Sequence, residues 1–375
     1  MHRRDSNRIE PRRLRGRRAR AVEARRLGRA QRLYADGAFA AADTLYARIL
    51  ARNPAHLVAL RGRAAAAAAR TDMAPTDSGG TLADDLNAIA DECYARGLYA
   101  VAQNCYQRVL DLAPDRSDAV WGIAECHGSL DEVDLAITWY RRYLDFSPDE
   151  PEALHMLAAL GALPSPGRAS DGYVTAYFDR FAEDFDQQLV DELDYQVPRL
   201  LYDSVASCID DAALRLDILD LGCGTGLSGC LFRRHANRLD GVDLSPVMLD
   251  HARQRGVYDA LTAGEISAHL MGLTHQYDVL LAGDVLAYFG RLSGLFRGIA
   301  RATREGALFA FSVEARRRSG YRLTPSGRYA HGRRYITRLA TAAGLREVSV
   351  TREQLRYEYG EPVMGDIWVF ERLPV

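Results

Sequence analysis

The sequence predicts two domains of different class: an all-α stack of helical repeats, then an α/β domain built on a mostly parallel sheet. Three observations predict it. A set of alanine, tyrosine, glycine and proline positions returns at matched offsets in the first half of the chain. From about Asp171 onward, apolar strand-like runs alternate with amphipathic helical ones. The first of those runs opens directly into a glycine-rich loop. The length of 375 residues also exceeds the roughly 100 to 200 residues usual for one domain.

All 48 Lys/Arg positions are arginine, which reads as the codon bias of a GC-rich genome. Thirteen of them fall in the first 32 residues, against Asp5, Glu10 and Glu23. Residues 1–22 therefore read as a basic, solvated and disordered arm, and the rest of the chain is net acidic. Such an arm leaves a nucleic-acid contact open without arguing for one. No apolar run approaches the ~20 residues that cross a bilayer, and the N-terminus lacks a secretory apolar region. A cytoplasmic protein is the expectation. The six cysteines show no C-x-x-C pair and no zinc spacing, so neither disulfides nor a metal is expected.

The repeats span residues 23–160. One copy reads Ala30, Tyr34, Gly37, Phe39, Ala42, Tyr46, Leu50, Pro54. A second reads Ala90, Tyr94, Gly97, Tyr99, Ala102, Tyr106, Leu110, Pro114. A weaker third keeps Ala124, Val133, Ala136, Tyr140, Leu144 and Pro148. Small alanines let two antiparallel helices approach, tyrosines fill the gaps, and proline ends the second helix. Between the first two copies, Ala55 to Arg70 reads as a lone helix, followed by a flexible insertion near 71–82 with Pro75 and Ser78-Gly79-Gly80. Glu152 to Leu160 reads as a capping helix, and residues 161–170 as a linker. The pattern resembles tetratricopeptide (TPR) repeats, a resemblance that implies a groove for a protein or peptide partner. Dimerisation or bracing of the second domain is the alternative.

In residues 171–375 the first strand is Leu216 to Leu221, followed by Gly222-Cys223-Gly224-Thr225-Gly226. Glycines let the backbone turn sharply and approach a ligand without a Cβ in the way. Read literally, Gly224 to Gly229 also satisfies the G-x-G-x-x-G dinucleotide pattern. The second strand, from Leu239, ends in Asp243-Leu244, and Ser245-Pro246 then opens a helix. A third ends at Ala263-Gly264-Glu265; a fourth runs from Tyr277 to Ala282 and on to Gly283-Asp284. Gly306 to Val313 makes a fifth, and Leu345 to Val350 with Ile367 to Glu371 a final antiparallel pair.

Together these runs resemble class I S-adenosylmethionine-dependent methyltransferases, which implies a Rossmann-like seven-stranded domain with S-adenosyl-L-methionine as cofactor. The resemblance implies that Asp220, Gly222, Cys223, Gly224, Thr225 and Gly226 form the cofactor loop, with Asp220 holding the methionine amino group through water. It implies that Asp243, beside Leu244, accepts the ribose hydroxyls and that Glu265 accepts from adenine. Gly283 and Asp284 would line the methyl-donor end, although Asp284 also reads as a helix N-cap. Tyr173, Tyr177, Phe178, Phe181 and Phe185 recur at helical spacing; they either pack on the sheet or, as Tyr177 and Phe181, close over the cofactor.

Tyr321 to Tyr335, rich in Arg and Tyr, reads as an acceptor-side flap. It contains His331, the candidate general base, with Tyr288 and Tyr329 behind it. Nothing in the sequence names the acceptor. Three readings stay open: repeats that recruit a protein or carrier-bound substrate, a small-molecule methyltransferase whose repeats serve assembly, and a non-catalytic scaffold.

Overall fold

A computed structural model describes residues 10–71, 79–182, 186, 189, 193–209, 215–358 and 361–374, and for residues 10–21, 79 and 181 the backbone only. The chain divides into two compact units, residues 1–148 and 149–375.

Among its described residues the first unit contains helices and no strand: α1 (Glu10–Ala35), α2 (Phe39–Leu50), α3 (Leu57–Thr71), α4 (Gly79–Ala95), α5 (Tyr99–Leu112), α6 (Ser117–Ser129) and α7 (Val133–Leu144). The basic stretch expected as a disordered arm is helical from Glu10, because Arg, Ala and Leu are strong helix formers. The insertion expected near 71–82 is shorter than read: α3 continues to Thr71 and α4 begins at Gly79, with 72–78 outside the described residues.

The repeat pattern maps onto packing. Gly37 and Gly97 hold the turns between paired helices at φ 76° and 70°; in the third copy Asp131 takes the same left-handed conformation at φ 58°. Aspartate visits that region more readily than most side chains, so the weaker copy keeps the turn without glycine. Tyr34 against Phe39 and Tyr94 against Tyr99 reproduce one geometry, with ring centroids 5.3 Å apart in both pairs. A second periodicity escaped the sequence reading. The ring of Tyr46 lies where a Cβ on Gly62 would be, and that of Tyr106 where one on Gly122 would be, 2.4 and 2.3 Å from the nearest ring atoms. Each tyrosine thus keys into a glycine of the following helix.

The second unit begins with α8 (Pro151–Ala159), which the sequence reading assigned to the repeats. Its Glu152 accepts from Arg180 at 2.6 Å, and its His155 stacks on Tyr173 at 4.2 Å. The expected linker is tied down as well: Ala169 N–H donates to the Tyr288 carbonyl, and Arg291 N–H to that of Gly167.

Nine strands form one sheet: β1 (Leu216–Leu221), β2 (Ala236–Asp243), β3 (Ala260–Ala263), β4 (Tyr277–Ala282), β5 (Thr303–Arg316), β6 (Tyr321–Leu323), β7 (Tyr329–Gly332), β8 (Leu345–Glu358) and β9 (Glu361–Arg372). The order β3-β2-β1-β4-β5 is parallel, and β9 joins β5 antiparallel with β8 outside it. This is the expected seven-stranded core. The two extra strands come from the segment expected as a flap, which folds as the β6–β7 hairpin. β4 pairs with β5 only as far as Phe311, and β7 takes up pairing at Glu314 to Arg316. The β6–β7 turn therefore stands at the carboxyl end of the parallel strands, where ligands bind open α/β sheets.

Alternation along β5 fills both faces of the sheet. Phe309, Phe311 and Val313 pack with Phe296, Trp368 and Phe370 on one side, and Leu308 and Ala310 with Ile218, Leu281 and Val369 on the other. No described helix is long and apolar enough to cross a membrane.

Candidate active site

The loop after β1 is shaped by backbone conformations that only glycine adopts freely. Gly222 and Gly226 sit at φ 67° and 94°, and a Cβ on Gly222 would lie 2.5 Å from Val285. The loop is anchored to β2 rather than hanging from β1: Gly222 and Cys223 N–H donate to the Val242 carbonyl at 2.8 and 3.1 Å. Asp243 completes the anchor. One carboxylate oxygen accepts from Gly224 N–H and the other from Ser245 N–H, both at 2.9 Å. Burial pushes the Asp243 carboxyl up, and those N–H groups pull it back towards ionisation.

The floor of a cleft is built from this loop. The space of the cleft, counted out into the solvent at its open mouth, is about 1360 Å³. Gly222, Cys223, Gly224, Thr225, Asp243, Leu244, Glu265, Gly283 and Asp284 all line it, so residues read from four separate strand ends converge. Glu265 also caps the helix Ile266–Met271, its two oxygens accepting from Ser267 and Ala268 N–H at 2.9 and 2.8 Å. Gly226 lies behind the wall as the cap of the helix Leu227–Phe232.

The helix Asp171–Phe181, with Leu189 and Leu193, lines one side of the cleft. Asp179 accepts from Ser245 Oγ at 2.5 Å, Asp186 accepts from Thr225 Oγ1 at 2.5 Å, and Arg255 pairs with Asp186. Tyr177 and Phe178 line the cleft, and Phe178 meets Tyr288 edge to face at 5.5 Å. Packing and lining of the cleft are thus done by the same aromatic face. The side chain of Phe181, and Phe185 entirely, lie outside the described residues.

Besides Gly226, two expected site residues are placed elsewhere. Asp220 is buried behind the loop, 2 % exposed, where it accepts from Tyr258 Oη at 2.7 Å, and it does not line the cleft. Burial pushes its carboxyl up to about 7 against the pull of that hydrogen bond. A raised acid contributes stability that is present below the usual carboxylate range and lost as pH rises through about 7. Asp220→Asn is therefore expected to raise the melting temperature of the ligand-free protein at pH 8 and to flatten its decline between about pH 4 and 7. A lower melting temperature at pH 8 than wild type would contradict this.

His331, the expected base, is also absent from the cleft wall. It is fully buried on β7, stacked at 6.1 Å on Tyr335, with the backbone of Phe289 and Gly290 beside its ring. Burial holds it down at about 4, so it is a neutral core side chain. The alternation of β7 turns it away from the cleft. Tyr288 does line the cleft, its hydroxyl pushed up by burial and hydrogen-bonded to Arg328.

Asp284 is not a helix cap: the short turn Leu286–Tyr288 follows Val285 and has no side-chain cap. It adopts φ 57°, a conformation costly for a non-glycine residue, and its carboxylate accepts from Arg356 at 3.0 and 3.1 Å. Arg356, 1 % exposed, also donates to Glu314 at 2.6 Å. Arg328 from the β6–β7 turn lies beside them. The sequence reading missed Arg328, Arg356 and Tyr195, all on the cleft wall. The Arg/Tyr richness of residues 321–335 was a signal for the first; the others lie where pairing across elements, not local pattern, brings them.

Residues 219–311 match the family model for a methyltransferase domain, and residues 87–151 that for a tetratricopeptide repeat. Among curated proteins, malonyl-[acyl-carrier protein] O-methyltransferase of Acetivibrio thermocellus is 27% identical over 140 residues, covering 36% of this chain and 47% of that protein. Human methyltransferase-like protein 27 is 38% identical over 87 residues, 23% of this chain and 35% of that one. The chain spans about half the length, or less, of these relatives. Among solved structures, magnesium protoporphyrin IX methyltransferase of Synechocystis PCC 6803 with bound cofactor aligns over 56% of this chain and all of that one, at 18% identity and a TM-score of 0.41. Residues 219–311 thus carry a methyltransferase domain and residues 87–151 a tetratricopeptide repeat, and the glycine loop anchored by Asp243 and the strand order agree with a class I S-adenosylmethionine-dependent methyltransferase fold.

Proposed function

We propose that the second unit transfers a methyl group from S-adenosylmethionine to an acceptor held at the Asp284–Tyr288 end of the cleft, and that the repeats recruit a protein or carrier-bound form of that acceptor. The observation that carries the first part is Asp243: tied to the loop on one oxygen and to the next helix on the other, it stands on the cleft wall with lone pairs left for two ribose hydroxyls. The cradle fits the cofactor, since Gly222 and Gly224 keep the floor clear of side chains beside it. Bound there, the cofactor supplies an activated methyl group. The chain's own contribution is to bind, orient and exclude water, through Glu265 and Leu244 at one end and Asp284, Tyr177 and Tyr288 at the other.

The second part is supported by the fusion itself and by relatives whose names specify a malonyl group on a carrier protein. A bacterial setting belongs to the same reading, on the bacterial relatives that the chain resembles. Comparing the full chain with residues 149–375 tests recruitment. On a carrier-bound acceptor the truncation is expected to raise KM about tenfold or more with little change in kcat, and on a free small acceptor to change neither. Equal KM values on both would leave the repeats without a recruiting role.

A further inference from the structure

The strand β8 forms one border of the sheet, paired with β9 on its inner side. Its outer edge is covered near one end only. There Gln196 N–H donates to the Leu355 carbonyl at 2.9 Å, and Tyr357 N–H donates to that of Leu193 at 2.7 Å. From Leu345 to Gln354, no backbone hydrogen bond to a further segment closes the edge among the described residues. An open edge of that length is a template for another strand, and natural sheets commonly blunt such edges with charge.

The charges on this edge are arranged to attract its own copy. The open stretch reads Leu345-Arg346-Glu347-Val348-Ser349-Val350-Thr351-Arg352-Glu353-Gln354. Read inward from the two ends, Arg then Glu on one side answers Glu then Arg on the other, around an uncharged centre. Arg346 and Glu353 are seven residues apart, so in an unbroken strand they would point to opposite faces. A bulge corrects this: Val348 is an extra residue between Glu347 and Ser349. Arg346 stands opposite Glu371 and Glu353 opposite Gly365, whereas Glu347 stands opposite Phe370 and Arg352 opposite Asp366. Arg346 and Glu353 therefore share one face, and Glu347 and Arg352 share the other. Both pairs are centred on the same position, Val350 opposite Trp368.

The side chains concerned are within reach of a partner. Arg346 and Arg352 pair with Glu371 and Asp366 on β9, yet remain 64 % and 42 % exposed. Glu347 lies near Arg333, and neither it nor Glu353 closes an ion pair among the described residues. Val348 is exposed beside the centre.

We propose that this edge binds a second copy of the same chain, antiparallel about a twofold axis at Val350, so that two sheets continue as one. Arg346 then meets Glu353 of the second copy and Glu347 meets Arg352, each contact made twice because the interface is isologous. Opposite charges directly across a strand pair stabilise it, and like charges oppose it. The register is selected as well. A slide by two residues in either direction leaves none of the four charges facing one of opposite sign. The pairing is independent of what the cleft binds.

Sedimentation of the full chain between about 1 and 100 µM tests the pairing, with Arg346→Glu and Glu353→Arg measured alone and mixed one to one. Wild type is expected to form a concentration-dependent dimer. Either variant alone sets like charges against each other at two places, and each is expected to weaken self-association about tenfold or more. The mixture restores opposite signs at both places, so a heterodimer within about threefold of wild-type affinity is expected. Hydrogen exchange on wild type gives a reading that needs no variant: amides of residues 345–354 gain protection as the concentration rises through the association. A wild type that stays monomeric at about 100 µM overturns the proposal. Self-association that both variants keep overturns it too, because assembly then uses another surface. So does a mixture of the folded variants that fails to recover the dimer, or a dimer whose exchange at 345–354 does not change with concentration.

Discussion

Asp243→Ala is expected to weaken S-adenosylmethionine binding by about 100-fold or more. Two hydrogen bonds from ribose hydroxyls to an ionised carboxylate contribute roughly 1.5–3 kcal/mol each, and every 1.4 kcal/mol is a factor of ten. The mutation also releases Gly224 and Ser245, whose N–H groups the carboxylate holds at 2.9 Å, so the loop loses its tie to the following helix. Asp243→Asn separates the two effects. An amide keeps one acceptor for the backbone but cannot serve both hydroxyls as a charged pair, and an affinity between wild type and alanine is the expected outcome. Calorimetry measures all three, and binding by the alanine variant within threefold of wild type would remove Asp243 from the site.

The second large effect concerns stability. Arg356→Met is expected to cost the second unit about 3–5 kcal/mol, because it leaves Asp284 and Glu314 without the cation that compensates them. At roughly 2–4 °C per kcal/mol for a domain of this size, the melting temperature falls by about 10 °C. Adding Glu314→Gln to that variant removes one stranded charge and is expected to recover part of the loss. If Arg356→Met melts within 2 °C of wild type, the triad is not compensating buried charge. The network also explains how Asp284 holds its left-handed backbone: its N–H donates to Ser312 Oγ at 2.8 Å and its carboxylate is fixed by β8.

Much of the molecule was legible wherever local pattern and tertiary need coincide. Gly37 and Gly97 had to be glycine-like because a left-handed turn joins each helix pair, and Asp131 shows that the conformation, not the residue, is what repeats. The cofactor loop was legible for the same reason: sharp turns at Gly222 and Gly226 leave a signature in sequence. Sheet faces were legible from the period of two along β5.

The acceptor side was not legible. Methyl transfer requires a positioned nucleophile and little else, so few residue types are compelled there. His331 was a reasonable base on chemistry alone, yet one step of strand alternation puts it in the core rather than the cleft. Arg356 reaches Asp284 only because β8 extends as a long hairpin with β9, and nothing in the local run Arg356-Tyr357-Glu358 announces that length. The capping pattern of α8 suits the end of a repeat stack, while the contacts Glu152–Arg180 and His155–Tyr173 tie it to the second unit.

The central claim is that the second unit holds S-adenosylmethionine in the cleft above Gly222 and Asp243. Calorimetric titration of the full chain with S-adenosylmethionine and S-adenosylhomocysteine tests it most directly. One site per chain is expected, with a dissociation constant in the micromolar range for both ligands, about −8 kcal/mol, abolished by Asp243→Ala. A folded wild-type protein that gives no heat and no thermal stabilisation with either ligand would contradict it.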